Sequence, residues 1–343
     1  MNTHPSNSAV RPLTLWLSSC CILIILMAVI GAITRLTESG LSITRWEPIK
    51  GILPPMNDAA WNEAYDLYKA TPQYSGIHDG MNLEEFKGIY FWEWIHRLWG
   101  RLIGLVFALP LLIFWVRGMI PNGFKLPLLG ILALGGLQGF IGWFMVQSGL
   151  EPGQVAVSPY RLALHLGMAL IIYACIFWQI LRLQLEKFLL SKPYSWCLHR
   201  HGLFTLGFIA ITIIWGAFTA GLNAGKIYNS FPLMDGYVIP PDFNAIEPWI
   251  KNITANPAAV QLVHRVLATI TFILTASFAW RLRHVNRSLS IALGNIIGLQ
   301  YSLGIITVLS GAHIVPASLH QANAILALTC VLASVFIVKQ KRA

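Results

Sequence analysis

Long apolar runs alternate with polar connections along most of the chain. A membrane-spanning helix needs about 20 consecutive, mostly apolar residues, and eight runs are long enough. They cover residues 13–33, 92–116, 126–148, 161–181, 203–224, 259–280, 288–311 and 315–338. Two stretches, 126–150 and 288–312, contain no Asp, Glu, Lys, Arg or His. The pattern therefore predicts an all-α polytopic membrane protein with eight transmembrane helices.

The composition agrees with this class, because 56% of the 343 residues are hydrophobic and only 11% are charged. The formal net charge of +10 could indicate a polyanionic binding partner, but the basic residues gather in alternate connections and at the C-terminus. They are Arg117, Lys125, Arg182, Lys187, Lys192, Arg200, Arg281, Arg283, Arg287, Lys339, Lys341 and Arg342. The positive-inside rule places these connections and both termini in the cytoplasm. We expect a bacterial inner-membrane protein surrounded by lipid, with no nucleic-acid partner.

The sequence contains an internal duplication. Gly31-Ala32-Ile33-Thr34, at the end of the first span, matches Gly216-Ala217-Phe218-Thr219 in the fifth. Gly136-Leu137-Gln138 in the third span recurs as Gly298-Leu299-Gln300 in the seventh. Each half has an even number of spans, so both halves enter the membrane from the same side.

The duplication predicts two four-helix bundles related by a pseudo-two-fold axis along the membrane normal. The N-terminal half covers 1–190 and includes a long periplasmic loop at 34–90. The C-terminal half covers 191–343. A loop as long as the first is usually functional, and we expect it to cap the first half as a lid, with a short helix near Trp61–Lys69.

Four histidines, one in every second span, each lie about five residues inside an apolar run: His96, His165, His264 and His320. A lone histidine in a span can be a core residue, but two pairs at matching positions favour a functional site. All four spans run from outside to inside, so the imidazoles should share one depth near the periplasmic surface. Two imidazoles across a helical bundle are typical of haem ligation. The sequence therefore predicts two bis-histidine haem centres.

The two halves differ one turn before the second-span histidine, where Glu93 stands in the first half and Gln261 in the second. The i, i+3 spacing places Glu93 and His96 on one helix face. A carboxylate there could donate or accept a proton, which Gln cannot do. The alternative is an ion pair with Arg97 or Arg101 at the headgroup level. The difference favours the first pair as the site that changes its substrate and the second as a resident cofactor site.

Arg97 and Arg265 directly follow the second-span histidines. Their planar guanidinium groups could bind haem propionates. Arginine near the end of a span is also a common interfacial anchor, and both interpretations stay open.

The other histidines fall in predicted connections or in the N-terminal tail. We expect most of them to be solvated, with His313 a minor candidate for a polar contact. The solvated set is His4, His78, His199, His201 and His284.

Motifs spread over almost the whole chain match one family. They are Gly31-Ala32-Ile33-Thr34-Arg35-Leu36-Thr37-Glu38-Ser39-Gly40-Leu41-Ser42, Trp46-Glu47-Pro48 with Gly51 and Pro54-Pro55, Glu84-Glu85-Phe86-Lys87, Glu93-Trp94-Ile95-His96-Arg97, His165, His264-Arg265 and His320. In these residues the sequence resembles the haem A synthase family, membrane enzymes that make the formyl-bearing haem of terminal oxidases.

The resemblance implies an oxidoreductase that hydroxylates a methyl group of haem O twice, after which loss of water leaves the formyl group of haem A. It implies that His264 and His320 bind the iron of a haem b cofactor, while His96 and His165 bracket the substrate or product haem. Glu93 falls on the essential carboxylate, so the implied catalytic residues are Glu93, His96 and His165. It also implies haem O synthase as substrate donor, terminal oxidase assembly factors as partners, and an electron donor that the sequence does not identify.

One departure from the family concerns cysteine. Members of the Gram-positive type carry a cysteine pair in the first outside loop, and this loop has none. The chain is in this respect more similar to the proteobacterial and mitochondrial branch, and we do not expect a thiol-based electron relay.

Two other classes of membrane protein remain as alternatives. A bis-haem cytochrome that passes electrons from quinol would fit the four histidines equally, but the difference between Glu93 and Gln261 and the first-loop motif disfavour it. A transporter with parallel repeats would fit the duplication, but the chain lacks the intramembrane acid–base pair expected in broken helices.

Overall fold

The computed structural model describes residues 7–47, 50–184 and 195–339. Within these residues the chain forms eleven α-helices and no β-strand. The helices are α1 (Asn7–Leu36), α2 (Asp58–Lys69), α3 (Pro72–Ile77), α4 (Leu83–Val116), α5 (Asn122–Gly149), α6 (Pro159–Leu183), α7 (Trp196–Gly221), α8 (Asn252–Ala255), α9 (Pro257–Leu282), α10 (Arg287–Leu309) and α11 (Ile314–Lys339). Several features discussed above lie outside the described residues: the predicted boundary at 190/191, His4, Pro48, Lys187, Lys192, Lys341 and Arg342.

Eight helices in the described part of the chain are long and apolar enough to cross a membrane, namely α1, α4, α5, α6, α7, α9, α10 and α11. This confirms the predicted polytopic all-α class, and each of the eight overlaps one predicted span. Two of them begin well before the predicted residue: α4 begins at Leu83 rather than at 92, and α7 begins at Trp196 rather than at 203. The first connection, between α1 and α4, covers 37–82; it lies within the predicted periplasmic loop of 34–90, which stays a prediction.

The early start of α4 has a local cause. The Asn82 side chain accepts a hydrogen bond from the Glu85 amide at 3.0 Å, and the Glu85 carboxylate accepts one from the Asn82 amide at 2.9 Å. This capping box satisfies two amides that a helix start would otherwise leave without a partner. As a result, α4 extends beyond the apolar run, and His96 lies in the fourth turn of its helix.

Each half is a ring of four helices. In the first ring α1 packs on α4, α4 on α5, α5 on α6 and α6 on α1. In the second ring α7, α9, α10 and α11 pack in the same order. The second and fourth helices of each ring therefore stand across from each other. The shared order is what the predicted pseudo-two-fold axis requires, and the axis itself stays a prediction.

The core lies where the two rings meet, because α1 and α6 of the first ring pack on α7 and α11 of the second. Leu17, Ile176 and Val331 are each at most 1% exposed at this junction. By contrast, α4 carries Leu105 and Leu112 with 61% of their surface exposed, as expected of residues that face lipid. Helices in a bilayer associate by close packing rather than by removal from water, so this junction holds the molecule together.

The first connection folds into a cap on the N-terminal end of α4. Tyr68 of α2 and Phe86 of α4 are fully buried, and their rings stack with centroids 5.3 Å apart. Trp61 packs edge-on against Phe86 at 6.5 Å. The predicted helix near Trp61–Lys69 is confirmed as α2.

Candidate functional site

His96 on α4 and His165 on α6 face each other across the first ring. Their ring centroids are 6.5 Å apart and their planes form an angle of 49°. Both side chains are half-buried. A bond from a metal to an imidazole nitrogen is about 2 Å long, so two such bonds in line with both rings place the centroids roughly 6 Å apart. The observed spacing therefore fits one metal ion between the two imidazoles.

His264 on α9 and His320 on α11 occupy the matching helices of the second ring. Both side chains are half-buried. The Nδ1 atom of His264 is buried and has no hydrogen-bond partner among the described residues. Buried polar atoms without a partner are uncommon, and such an atom on an imidazole is consistent with a ring placed to bind a further group. The residues of the second ring thus also fit a bis-histidine metal centre.

A glycine on a neighbouring helix lies against each of the four imidazoles. A Cβ added to any of these glycines would come within 3.4 Å of the ring. The pairs are Gly31–His96, Gly142–His165, Gly216–His264 and Gly304–His320, with distances of 3.4, 2.9, 3.2 and 3.0 Å. The first and third helices of each ring therefore lack a side chain at the places where the second and fourth helices present their histidines.

Two glutamines contact the fourth-helix histidines. Gln138 Nε2 lies 3.2 Å from His165 Nδ1 and donates to the His165 carbonyl at 3.1 Å. Gln300 Nε2 lies 3.2 Å from His320 Nδ1. Partners of this kind orient metal-binding imidazoles. The repeated Gly-Leu-Gln motif is visible in the sequence, but the contacts of its glutamines are not.

The two glutamines differ in how they are held. Gln300 Oε1 accepts a hydrogen bond from Asn323 Nδ2 at 2.8 Å, and Asn323 also donates to the Ile296 carbonyl at 3.0 Å. Gln138 Oε1 is buried and accepts no hydrogen bond within the part of the chain that the structure describes. In the register of the fourth-helix histidines, Met168 stands where the second half has Asn323. The second half therefore fixes its glutamine from both sides, and the first half leaves one acceptor open.

Glu93 is 3% exposed and ties the first connection to α4. Its Oε2 accepts hydrogen bonds from Ser42 Oγ at 2.8 Å and from the Ile43 amide at 2.7 Å. Its Oε1 pairs with the Arg97 fork at 2.6 and 3.1 Å. Arg97 also donates to the carbonyls of Ile43 and Arg45 at 2.8 and 3.2 Å. Of the two ion pairs that the sequence left open for Glu93, the structure contains the one with Arg97.

The matching residues of the second ring hold the fifth connection in a different way. Gln261 Nε2 donates to the carbonyls of Ala224 and Ile227 at 2.9 and 2.7 Å. Arg265 donates to the carbonyls of Tyr228 and Ser230 at 2.7 and 2.9 Å. The first connection presents donors to Glu93, whereas the fifth presents acceptors to Gln261. Glu93 accepts hydrogen bonds from its loop, whereas Gln261 donates hydrogen bonds to its loop, so each side chain matches the groups that it meets. Binding of propionates by the two arginines stays a prediction.

The expectation for the remaining histidines was partly wrong. His199 is only 8% exposed and His201 is half-buried, because α7 begins before both residues. His78 is half-buried and lies 2.6 Å from the Tyr68 hydroxyl. His284 is exposed, as predicted, and His313 Nδ1 accepts a hydrogen bond from the Val315 amide at 3.4 Å.

Comparison with known proteins gives one consistent family. A model of the COX15-CtaA family, described as cytochrome oxidase assembly protein, matches residues 14–332. A protein of Rhodospirillum centenum named Heme A synthase is 47% identical over 328 residues, which cover 94% of this chain and 87% of that protein.

Two further relatives carry the same name. The Heme A synthase of Nitrosomonas eutropha is 42% identical, with 94% of this chain and 92% of the relative covered. The Heme A synthase of Agrobacterium fabrum is 43% identical, with 93% and 88% covered. With a family match over nearly its whole length and relatives at this level of identity, the chain belongs to the COX15-CtaA family of cytochrome oxidase assembly proteins.

Proposed function

We propose that the chain is a haem A synthase, which converts haem O to haem A. A porphyrin methyl group is hydroxylated twice, and loss of water from the resulting gem-diol leaves a formyl group. The observation that carries the proposal is the facing pair His96 and His165, in a chain 47% identical to a protein named Heme A synthase.

His96 and His165 are the proposed binding residues for the substrate haem. Their spacing suits an iron between them, and Gly31 and Gly142 leave room for the two rings. Glu93 lies one turn from His96 on the same helix face. We assign it the function of holding Ser42, Ile43 and Arg97 in place over this pair. This fixes the outer wall of the site and limits the access of water.

His264 and His320 are the proposed ligands of a resident haem b. When bound, this group supplies one-electron transfer. The orphaned Nδ1 of His264 and the Asn323–Gln300–His320 chain of contacts support the assignment. A glutamine fixed from both sides orients His320 permanently, which suits a cofactor that is not exchanged.

We further propose that both termini lie in the cytoplasm and both haem sites near the periplasmic side of a bacterial inner membrane. The distribution of basic residues supports this orientation. In this setting haem O synthase is the source of the substrate, and the product passes to terminal oxidase assembly.

Haem extraction from cells tests the proposal. The chain is produced in a host that makes haem O but lacks its own haem A synthase, and extracted haems are separated by chromatography. We expect haem A or its hydroxylated precursor with the native chain. His264→Ala and His320→Ala should remove the low-spin haem b spectrum of the purified protein, whereas His96→Ala and His165→Ala should retain it and abolish haem A. Haem b without any haem A or precursor from the native chain would favour the bis-haem cytochrome instead.

A further inference from the structure

The two rings differ at one seam, the contact between the second and third helices. In the second ring α9 and α10 pack along their length. Near the histidines, Phe272 stacks on Tyr301 with ring centroids 4.8 Å apart and an interplanar angle of 29°. The Tyr301 hydroxyl lies 3.1 Å from Thr269 Oγ1. Towards the other end, Ser290 Oγ donates to the Ala279 carbonyl at 2.7 Å. The second ring is therefore closed along this seam.

The first ring is looser at the matching seam. There α4 and α5 are in much less close contact than α9 and α10. Lys125 lies over the Trp115 ring at 5.5 Å, at the end of α4 remote from His96. The α4/α5 seam of the first ring therefore lacks, among the described residues, an aromatic contact like the one that closes the α9/α10 seam.

The repeat register shows which residues make the difference. His96 matches His264, so Gly104 on α4 matches Phe272. Gln138 matches Gln300, so Gly139 on α5 matches Tyr301. Both members of the stacked pair are thus replaced by glycine in the first ring. A Cβ added to Gly104 or Gly139 would meet no atom within 4 Å. The first ring contains a slot in the place where the second ring contains two aromatic rings.

The residues beside the two glycines are apolar. Leu105, Leu137 and Phe140, which are neighbours of the two glycines in sequence, are exposed. Gly139 is three residues from Gly142, which packs on His165, so the slot lies within one helical turn of a contact to the imidazole. Gly104 is about 12 Å along the axis of α4 from His96. An occupant of this slot would reach from the lipid to the ligands.

An independent observation points to a ligand with a hydroxyl group. Gln138 directly precedes Gly139, and its Oε1 atom is buried without a hydrogen-bond partner. In the closed ring the matching oxygen of Gln300 is occupied by Asn323. The open acceptor therefore occurs in the half that has the slot.

We propose that the slot between α4 and α5, lined by Gly104 and Gly139, binds the isoprenoid side chain of haem O and admits it laterally from the bilayer. This rests on the proposed function. Haem O carries a long apolar side chain with a hydroxyl next to the porphyrin, which suits both the slot and the acceptor on Gln138. Haem b has no such side chain, and the ring assigned to it is closed by Phe272 and Tyr301.

Transplanting the aromatic pair tests the proposal. The double variant Gly104→Phe/Gly139→Tyr gives the first ring the residues of the second. The purified protein, carrying its resident haem b, is titrated separately with haem O and with additional haem b, and binding is followed by absorbance. We expect the native protein to bind haem O at least about tenfold more tightly than added haem b, because burial of the apolar side chain favours binding. The double variant should lose most of this preference.

Two further variants separate a specific effect from a general one. Gly130→Phe places a ring on α5 at another glycine where a Cβ would meet no atom within 4 Å, and it should keep the preference. Gly139→Leu alone should reduce the preference with less disturbance if the double variant does not retain its haem b. If the double variant or Gly139→Leu binds haem O as tightly as the native protein does, the proposed slot is wrong.

Haem extraction distinguishes the two proposals. If the native chain makes haem A and the double variant makes as much, the slot is wrong and the proposed function stands. If the native chain makes no haem A at all, the proposed function fails, whatever the titration gives.

Discussion

At the scale of single residues, backbone clearance determines where the imidazoles lie. Each histidine packs on a glycine, and the shortest separations for an added Cβ are 2.9 Å at Gly142 and 3.0 Å at Gly304. Contacts this short between carbon atoms require a shift of the ring or of the helix. The positions of the four imidazoles therefore depend on the absence of a side chain at these four glycines.

Gly304→Ala should weaken the binding of the resident haem b. The new methyl group displaces His320 from its position, and displaced support of a ligand typically costs about 10- to 100-fold in affinity. The rate of haem transfer to apomyoglobin, followed by absorbance, measures the effect. Gly294→Ala on the same helix is the matched control, because a Cβ there meets no atom within 4 Å. Equal transfer rates for the two variants would contradict the importance of this contact.

The sequence predicts the histidines and the repeated motifs with Gly31 and Gly216, but not the function of Gly142 and Gly304. A sequence does not tell which of 28 glycines faces a ring. A usable signal was present, since Gly142 and Gly304 both follow the glutamine of the repeated Gly-Leu-Gln motif by four residues. One helical turn then places glutamine and glycine on the same face, where both contact the histidine.

At the scale of elements, one carboxylate joins the first connection to α4. Glu93 is buried, and its four hydrogen bonds come from the loop and from Arg97. Breaking a buried ion pair commonly costs about 3–5 kcal/mol. These four hydrogen bonds therefore hold the loop over the first histidine pair. Removing one partner would leave a buried charge without compensation.

Glu93→Gln should leave haem b bound and reduce haem A production by at least about tenfold. The reason is that an amide has one oxygen, which cannot accept hydrogen bonds both from the loop and from the Arg97 guanidinium. Limited proteolysis within 37–82 should become faster. Glu84→Gln is the control, because Glu84 pairs with Lys87 at 2.7 Å but its side chain is 78% exposed, and such pairs contribute little. Loss of haem A with unchanged proteolysis would instead indicate that Glu93 transfers a proton.

Hydropathy predicted all eight spans but misplaced two helix starts. It measures where a segment becomes apolar, whereas a helix begins where its first amides find partners. For α4 those partners are Asn82 and Glu85, which form a recognisable capping box in the sequence. For α7 the Ser195 side chain accepts from the Leu198 amide at 3.4 Å. A search for caps beside the hydropathy scan would have placed His199 and His201 in a helix.

At the scale of the whole molecule, two rings share a central layer made of α1, α6, α7 and α11. Contacts near the outer ends of α1 and α7 add to this layer. Arg35 donates to the Gly221 carbonyl at 3.3 Å, and Lys226 lies 3.4 Å from Glu38. The duplication in the sequence predicted two four-helix units, but the pattern of apolar residues could not show which faces join them, since lipid-facing and protein-facing residues are equally apolar.

The orientation in the membrane can be tested with reporters. A fluorescent protein fused after Ala343, which lies outside the described residues, should be fluorescent in the cytoplasm, because basic residues flank the connections on that side. Alkaline phosphatase inserted within α2, in the first connection, should be active in the periplasm. A C-terminal fusion without fluorescence, together with an inactive phosphatase in the first connection, would reverse the topology and place both histidine pairs near the cytoplasmic surface.

The position of the slot has a consequence for electron transfer. The seam between α4 and α5 lies on the side of the first ring remote from the second, whereas α6 packs directly on α11. Those two helices carry His165 and His320, one ligand of each proposed haem. Separation of α4 from α5 to admit a substrate would leave the contact between α6 and α11 in place. The proposed loading seam and the helices that carry one proposed ligand of each haem thus lie on opposite sides of the first ring.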